Sequence, residues 1–356
     1  MSKTYYSYQD VFLKPRYSDF HSRSEANTSI IFGNQTFKLP VVPANMECTM
    51  NVDKAKYMSE NDYFYIMHRF NKDKTAPANT DNKKFIEVAN NENWKNISIS
   101  LGVKDADEEL IQYCISKGLR IDYLTLDIAH AHSVRMKEML AYLNRMYRSD
   151  ICTVERPFII AGNVASAGAV VDLENWGADA TKVGIAQGDA CTTYGQTGFG
   201  APMFSCIQEC ADIATKPIIA DGGIRTNGDF AKAIVAGGTM VMAGSVFAAC
   251  VDSPADTVVK IIKMNELRES MKVDPRSALL QKGLDEILAK KTYKVYYGSA
   301  SAKNKGANVH VEGRVVELEC NKMTYAEKLH EITESLQSSI SYAGGDFSEV
   351  EYGIRN

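Results

Sequence analysis

The sequence contains no runs of lysine and arginine, although 40 of its 356 residues are of these two types. Because 44 aspartates and glutamates outnumber them, the formal net charge is −4. Proteins that bind nucleic acids usually carry clustered positive charge. We therefore expect no nucleic-acid partner.

The chain also lacks a long hydrophobic segment and paired cysteines. No run of about 18 apolar residues occurs, which argues against a transmembrane helix. The opening MSKTYYSYQD has no apolar region typical of a secretory signal. The eight cysteines are scattered and never form a CxxC pair. Together these absences predict a cytoplasmic protein with reduced thiols and no membrane partner.

Short apolar runs, many rich in β-branched residues, recur along the chain and predict strands that are buried on both faces. The eight runs are residues 41–44, 63–67, 97–101, 123–126, 158–161, 180–183, 217–220 and 239–243. Segments with helical periodicity lie between most of them. This pattern favours an α/β fold of the TIM (β/α)8-barrel type, with an open doubly wound sheet as the alternative.

Residues 1–356 are predicted to form a single catalytic domain, and two segments fall outside its strand–helix repeat. Residues 252–291 are rich in Lys, Glu, Leu and Ile, and we expect a helical insertion there. Residues 296–323 are rich in Gly, Ser, Asn and Lys, and we expect a mobile, flap-like loop.

Polar and glycine residues gather at the carboxyl ends of the predicted strands, where barrel enzymes place their chemistry. They include Asn45, His68, Gly102, Asp127, Asn163, Gly184, Asp221 and Gly244. Arg69, Asn163 and Lys182 lie at or beside strand ends. Each of these three either contacts a ligand or holds neighbouring carboxylates within the barrel.

The segment after the sixth predicted strand, GIAQGDACTT at 184–193, is the densest group of candidate residues. A free cysteine is most often a buried small hydrophobic residue. Cys191 lies instead among glycines and hydroxyl-bearing residues, which indicates a loop where a reactive thiolate can be stabilised. Thr193 is close enough in sequence to exchange a hydrogen bond with a group that the thiol attacks.

Two glycine-containing turns at neighbouring strand ends predict a phosphate site. Gly222 and Gly223 follow Asp221, and Gly244 precedes Ser245. Glycine lets backbone amides approach a phosphate, and the last two loops of a barrel often form such a site. The Asp221 carboxylate could hold a pair of ribose hydroxyls.

Asp127 ends the fourth predicted strand and is followed by His130 and His132. Its carboxylate could orient a nicotinamide carboxamide or a proton-relay water. A divalent metal site is disfavoured because no third ligand stands at a known spacing.

With these residues in place, the sequence resembles the family of IMP dehydrogenases and GMP reductases along nearly its whole length. The motifs include VPANM at 42–46, HRF at 68–70, LDIAHAHS at 126–133, DATKVG at 179–184, CTT at 191–193, ADGGI at 220–224 and YYG at 296–298. The phrases PIIADGGIRT, YYGSAS and LQSSISYAGG are closer to the reductases. About 30 residues separate the second and third strands, which leaves no room for the dehydrogenases' regulatory domain.

The resemblance implies an NADPH-dependent oxidoreductase of purine metabolism that converts GMP, or a related purine nucleoside monophosphate, to IMP and ammonia. Cys191 would attack C2 to give a thioimidate, Thr193 would assist departure of the amine, and Asp127 would lie near the nicotinamide. Substrate would contact Arg69, Asn163, Asp221, Gly222, Gly223, Gly244, Ser245, Tyr296, Gly298 and Ser299, and the cofactor would contact Asp127, His130 and Lys182. A homotetramer is implied, and a monovalent cation such as K+ at the backbone of Gly184, Gly188 and Cys191 is compatible with the pattern.

Two positions depart from that pattern. The reductases carry a glutamate after the Ser-Ala-Ser element that acts as an acid–base group, where this chain has Ala302, and Glu312 could substitute for it. Asp189 stands where the family pattern has Ser or Lys, and a carboxylate beside a phosphate dianion is unfavourable. The open alternatives are an IMP dehydrogenase without its regulatory domain, against which the missing Arg-Tyr pair in 296–323 argues, and a catalytically altered purine-nucleotide-binding paralogue.

Overall fold

A computed structural model describes residues 4–150, 152–263, 288–305 and 311–355. The strands are β1 (Val11–Leu13), β2 (Ile30–Phe32), β3 (Gln35–Phe37), β4 (Val41–Pro43), β5 (Ser98–Leu101), β6 (Tyr123–Asp127), β7 (Phe158–Val164), β8 (Ala180–Val183), β9 (Ile218–Asp221), β10 (Met240–Ala243), β11 (Thr257–Lys263), β12 (Leu288–Tyr297), β13 (Val315–Glu319) and β14 (Tyr352–Ile354). The α-helices are α1 (Val52–Glu60), α2 (Thr80–Asn91), α3 (Asp105–Lys117), α4 (Val134–Tyr147), α5 (Ala167–Asn175), α6 (Thr193–Thr197), α7 (Met203–Ala211), α8 (Asn227–Val235), α9 (Ser245–Ala248), α10 (Ala302–Lys305) and α11 (Tyr325–Tyr342).

Seven parallel strands form a curled central sheet in the order β4-β10-β9-β8-β7-β6-β5. The first of these strands in the chain therefore pairs with the last, with Val41 opposite Val241. In an open doubly wound sheet the first strand lies inside the sheet and does not pair with the last. The prediction of an α/β barrel of the TIM type is confirmed.

The second predicted strand, residues 63–67, is less regular than expected. It forms an isolated parallel bridge between Met67 and Ile99. The Met67 amide donates to the carbonyl of Ser98 at 3.0 Å, and its carbonyl accepts from the Ser100 amide at 2.9 Å. These bonds place the segment beside β5, in the gap between the two ends of the sheet.

The barrel interior is packed with apolar side chains from alternate strand positions. They include Val42, Phe64, Ile66, Tyr123, Ile160, Ala180, Ile219, Met240 and Met242. The hairpin of β2 and β3 adds Phe32 and Phe37 at the amino end of the barrel, where the Tyr123 hydroxyl donates to the Phe32 carbonyl at 2.6 Å. A larger cluster fills the space between sheet and helices. Both faces of the strands are thus buried, which is why their sequences are apolar at nearly every position.

Helix ends follow local sequence signals. The first turn of α3 carries Asp105, Asp107 and Glu108, whose negative charges stabilise the positive end of the helix dipole. At the other end, Gly118 adopts the left-handed conformation and terminates the helix. Thr324 caps α11, and Glu327 accepts from the Thr324 amide at 2.7 Å.

The eighth strand–helix unit is interrupted by a small antiparallel sheet in the order β11-β12-β13. The chain leaves β10, forms this sheet, and returns as α11. Helix α11 packs on α8 and also reaches the start of α1, where the Tyr325 hydroxyl donates to the Thr49 carbonyl. Lys54 lies 4.9 Å from the Tyr325 ring centroid. Helix α11 therefore occupies the position of the last barrel helix.

The helical insertion predicted for residues 252–291 is wrong where the structure describes it. Residues 257–263 form β11, which pairs antiparallel with β12. Five of the seven residues in TVVKIIK are β-branched, which favours extended backbone. Residues 264–287 lie outside the described residues.

The flap-like segment 296–323 contains more regular structure than a loop. It includes the end of β12, the short helix α10 and strand β13, which pairs with β12. Side chains of β13 alternate between exposed and half-buried along VVELE, the period of a strand with one solvent face. Residues 306–310 lie outside the described residues, and mobility of the segment stays a prediction.

The two ends of the described chain meet in a short antiparallel ribbon of β1 and β14. Lys14 and Glu351 form an ion pair across it at 2.8 Å. Among the helices described, none combines the length and apolar character that crossing a bilayer requires.

Candidate active site

A cavity of about 370 Å³ lies at the carboxyl ends of the barrel strands. Nineteen of the residues named from the sequence line it: Asn45, Arg69, Asp127, Asn163, Lys182, Gly184, Gly188, Asp189, Cys191, Thr193, Asp221, Gly222, Gly223, Gly244, Ser245, Tyr296, Gly298, Ser299 and Glu312. His130 is exposed and is not among the lining residues. Its contact with a cofactor stays a prediction.

The cysteine loop leaves β8 through a turn that requires glycine. Gly184 has φ +144°, and an added Cβ would lie 1.9 Å from the carbonyl oxygen of Asp221. The loop continues to Cys191, which is half-buried, and α6 begins at Thr193. The thiol of Cys191 donates to Thr193 Oγ1 over 3.2 Å.

Glu312 completes a hydrogen-bonded chain with these two side chains. Thr193 Oγ1 donates to Glu312 Oε2 at 2.8 Å, and Glu312 lines the same cavity. A thiol, a hydroxyl and a carboxylate are therefore connected in series. Such a series can move a proton between sulfur and carboxylate through the hydroxyl.

Backbone pairing holds Glu312 in this place. The Thr192 amide donates to the Glu312 carbonyl at 2.9 Å, and the Arg314 amide donates to the Ala190 carbonyl at 2.9 Å. These two bonds form an antiparallel bridge between Cys191 and Gly313.

Ala302, the position where the reductase pattern has its glutamate, does not line the cavity. It begins α10 and is half-exposed. Its neighbour Ser301 bridges Gly313, so the 300–302 segment supports the Glu312 strand from the other side. The carboxylate in contact with Thr193 thus comes from Glu312.

A buried ammonium lies at the base of the cavity. Lys182 in β8 is 2% exposed, and its Nζ lies 2.8 Å from Asp127 Oδ1 and 2.7 Å from Asp221 Oδ2. It also donates to Asn163 Oδ1. Asn163 Nδ2 donates to Asp221 Oδ2 at 2.9 Å, and Asn45 Nδ2 donates to Asp127 Oδ2 at 3.1 Å. Lys182 was predicted either to contact a ligand or to hold neighbouring carboxylates, and the structure shows that it holds the carboxylates of Asp127 and Asp221.

Electrostatics keeps this group charged. Burial alone would lower the pKa of Lys182, but the Asp127 and Asp221 carboxylates raise it above its ordinary value. Burial alone would raise the pKa of Asp127, but Lys182, Arg69 and hydrogen bonds hold it below its ordinary value. The Asp127 carboxylate is therefore ionised at neutral pH and fixed in orientation.

The glycine turns predicted to hold phosphate line the same cavity and contact the cysteine loop. At Gly244 an added Cβ would stand 2.3 Å from the Tyr296 hydroxyl, so that hydroxyl approaches the turn closely. Burial raises the pKa of Tyr296 well above its ordinary value, so it remains a neutral phenol. The Gly223 amide donates to the Gln187 carbonyl at 3.2 Å.

Asp189 faces these turns. Ser245 Oγ donates to Asp189 Oδ2 at 2.6 Å, and Arg225 Nε donates to Oδ1 at 3.2 Å. The Asp189 carboxylate therefore faces the cavity rather than pointing away into solvent.

Comparison with known proteins agrees with the geometry. Residues 5–350 match the model of the IMP dehydrogenase / GMP reductase domain. The chain belongs to the IMP dehydrogenase/GMP reductase family. It is 44% identical over 355 residues to a protein named GMP reductase from Leptothrix cholodnii. The alignment covers 98% of this chain and 95% of that relative. Proteins of the same name from Variovorax paradoxus and Staphylococcus carnosus are each 42% identical, with 98% of this chain and 95% and 96% of those chains covered.

A nicotinamide cofactor belongs to the chemistry of the IMP dehydrogenase/GMP reductase family. The residues beside Asp127 fit such a group. Arg69 lines the cavity, and its Nε is buried without a hydrogen-bond partner among the described residues. A carboxamide could donate to Asp127 and accept from Arg69, which would satisfy that buried donor.

Metal sites were predicted only as a monovalent cation at backbone carbonyls. Within the ranges that the structure describes, no three His, Cys, Asp or Glu side chains are grouped to hold a metal ion. The Gly184 carbonyl accepts from Asn163 Nδ2 at 2.6 Å, and the Gly188 carbonyl accepts from the Cys191 amide at 2.9 Å. A cation would have to share or replace these bonds.

Sequence reasoning left three site residues without a firm role. Glu312 was named only as a possible substitute, because 119 residues separate it from Thr193. Asn45 was noted at a strand end but was not assigned to Asp127. Gln187 was not assigned, since a backbone contact to Gly223 leaves no signal in residue type. A period-two pattern in 315–319 could have indicated the strand that follows Glu312.

Proposed function

We propose that this chain is an NADPH-dependent GMP reductase, which converts GMP to IMP and ammonia through a thioimidate on Cys191. The observation that carries the proposal is the series Cys191 Sγ, Thr193 Oγ1 and Glu312 Oε2, with separations of 3.2 Å and 2.8 Å. The relatives named GMP reductase support the substrate.

In the first step, Cys191 Sγ forms a bond to C2 of the purine and the bond from C2 to the 2-amino nitrogen breaks. The thiol proton moves to Thr193, whose own proton moves to Glu312. A proton then returns from Glu312 through the Thr193 hydroxyl to the departing amino group, which leaves as ammonia. The thiol proton thus balances the leaving group, and covalent attachment divides one difficult displacement into two easier steps.

The second step reduces C2, and a nicotinamide, when bound, would supply the hydride. The C2–Sγ bond breaks, IMP leaves, and the Cys191 thiolate takes a proton from solvent. Asp127 and Arg69 would orient the carboxamide, and Lys182 keeps the Asp127 carboxylate ionised and in place.

The substrate's sugar and phosphate are assigned to the remaining cavity lining. Lys182 and Asn163 both hold Asp221 Oδ2, which orients this carboxylate toward a ribose hydroxyl pair. Gly222, Gly223, Gly244, Ser245 and Tyr296 would surround the phosphate. A homotetramer and a K+ ion at the cysteine loop are part of the proposal, tested by sedimentation and by assays with and without K+.

The test is purified protein with GMP and NADPH, followed by loss of NADPH absorbance and release of ammonia. NADH is assayed in parallel to determine the cofactor preference. Without any nicotinamide, GMP should release about one equivalent of ammonia per protomer and leave a purine adduct on Cys191 by mass spectrometry. Absence of both turnover and adduct, with GMP bound, would contradict the proposal.

Cys191→Ser should abolish turnover and adduct while GMP still binds. Cys152→Ser is the matched control, because Cys152 is half-buried and does not line the cavity. IMP-dependent reduction of NAD would instead indicate the dehydrogenase alternative. The non-catalytic alternative is based on Ala302 and Asp189. The contact of Glu312 with Thr193 argues against the first of these two reasons.

A further inference from the structure

We propose that Asp189 is a specificity-determining residue that competes with the substrate's 5′-phosphate for Ser245 and Arg225. The inference rests on the proposed function, because it takes a purine nucleoside monophosphate as the occupant of the cavity. The Asp189 carboxylate thereby reduces the preference of the site for a nucleotide over the corresponding nucleoside.

The contacts of Asp189 show that its carboxylate belongs to the cavity. Oδ2 accepts from Ser245 Oγ at 2.6 Å and Oδ1 accepts from Arg225 Nε at 3.2 Å. The Asp189 side chain is 28% exposed, against 57% for Arg225. Asp189 and Ser245 both line the cavity, and Arg225 follows the turn at Gly222 and Gly223.

The backbone at Asp189 is held as well as its side chain. The Asp189 carbonyl accepts from Arg314 Nε and Nη2, each at 3.3 Å. Two residues later, the Cys191 amide donates to the Gly188 carbonyl at 2.9 Å. Asp189 is thus restrained on both sides, and its carboxylate cannot leave the site without breaking contacts.

The donors that hold Asp189 are those that a phosphate would use. A hydroxyl and a guanidinium donate to carboxylate and phosphate oxygens alike, and charge-assisted bonds of this kind are among the stronger ones. A dianion that enters must take Ser245 and Arg225 from Asp189 and then lie beside an unpaired negative charge. A neutral nucleoside places only a hydroxyl there and meets no such repulsion.

The experiment compares GMP with guanosine in the wild type and in Asp189→Asn. Asparagine keeps the size of the side chain and removes its charge. The dissociation constant for GMP, by calorimetry, should fall by about 10- to 100-fold, the range that one charged hydrogen bond represents. Guanosine binding should be unchanged, and inorganic phosphate should compete with GMP more strongly in the variant. Asp212→Asn, an exposed residue just after α7, should leave both ligands unaffected.

Three results would overturn the inference. They are unchanged GMP binding in Asp189→Asn, weaker GMP binding, or equal shifts for GMP and guanosine. The last would mean that Asp189 only shapes the cysteine loop, and the rate at which iodoacetamide modifies Cys191 would then change as well. If GMP binds more tightly in the variant but neither protein turns it over, the proposed reaction fails while the role of Asp189 stands.

Discussion

The hydroxyl of Thr193 contacts a nucleophile on one side and a carboxylate on the other, so replacing Glu312 tests the proton path directly. Glu312→Gln keeps a hydrogen-bond acceptor but cannot take up a proton. We expect kcat for GMP to fall by about 10²- to 10⁴-fold, the usual effect of losing a general acid–base group, with KM nearly unchanged. Steady-state kinetics with GMP and NADPH measures both.

Glu317→Gln is the control for Glu312→Gln. Glu317 lies on β13 and pairs with Lys260 away from the cavity, so kcat should be unchanged. Ala302→Glu should also change kcat little, because Ala302 does not line the cavity. Full activity in Glu312→Gln, or a large gain in Ala302→Glu, would contradict this assignment.

His68 should make the stability of the fold depend on pH. Burial lowers its pKa to about 4, partly opposed by Glu47, and its Nδ1 accepts from the Phe70 amide at 3.2 Å. In the unfolded chain the ordinary pKa is about 6.5. Between these values the unfolded chain binds more protons, so stability rises with pH across that window and is lost as pH falls toward 4.

Lowering the pH from 7 to 5 should reduce the free energy of unfolding by up to about 2 kcal/mol through His68. His68→Gln should flatten this part of the curve, as measured by urea denaturation at the two pH values. His330→Gln, on an exposed position of α11, should leave the slope unchanged. An equal slope in wild type and His68→Gln would count against the assignment.

At the scale of elements, the turn from β8 into the cysteine loop depends on Gly184. Gly184→Ala places a Cβ 1.9 Å from the Asp221 carbonyl oxygen and requires φ +144° of an alanine. We expect a loss of at least about 3 kcal/mol in the free energy of unfolding, together with displacement of Cys191 and loss of activity.

Gly168→Ala is the matched control for that turn. Gly168 lies in α5 with no atom within 4 Å of an added Cβ, so alanine should stabilise by about 0.5–1 kcal/mol. Denaturant unfolding monitored by circular dichroism gives both values. Equal stability of the two variants would mean that Gly184 is not under steric constraint.

The elements differ in how far sequence alone predicted them. The barrel strands were predictable because burial on both faces makes most of them apolar at nearly every position, as at 240–243. Strand β11 was not predictable, because the lysines in TVVKIIK have a spacing that also suits a helix. The segment from 296 to 323 was expected to be a loop because its glycines and serines obscured the alternation of VVELE.

At the scale of the whole molecule, closure of the barrel depends on contacts between distant parts of the chain. The site residues Asp127, Asn163, Lys182 and Asp221 could be placed together from sequence because they lie at or beside the carboxyl ends of four consecutive strands. The position of α11 as the last barrel helix could not be predicted from the sequence, because its contacts to Thr49 and Lys54 join residues far apart in the chain. Glu312 was hard to assign for the same reason.

The ribbon of β1 and β14 is another long-range closure. Removing residues 349–356 deletes β14, the ion pair of Lys14 with Glu351, and the Tyr352 ring, whose centroid lies 4.6 Å from that of Phe204. We expect Tm to fall by about 2–4 °C, as a loss of about 2 kcal/mol would produce in a domain of this size. Differential scanning calorimetry measures the shift. An unchanged Tm would show that the ribbon contributes no stability.

The bridge between Cys191 and Gly313 has a consequence for the chain during its synthesis. All barrel strands up to β10 precede residue 244 and leave the ribosome before Glu312 does. The Cys191 thiol is therefore synthesised before Tyr296, Gly298 and Ser299 of the cavity lining, and before the carboxylate of Glu312. Until Glu312 has left the ribosome, the series of thiol, hydroxyl and carboxylate is incomplete. Under the proposed function, turnover begins only after the chain has been extended past this residue.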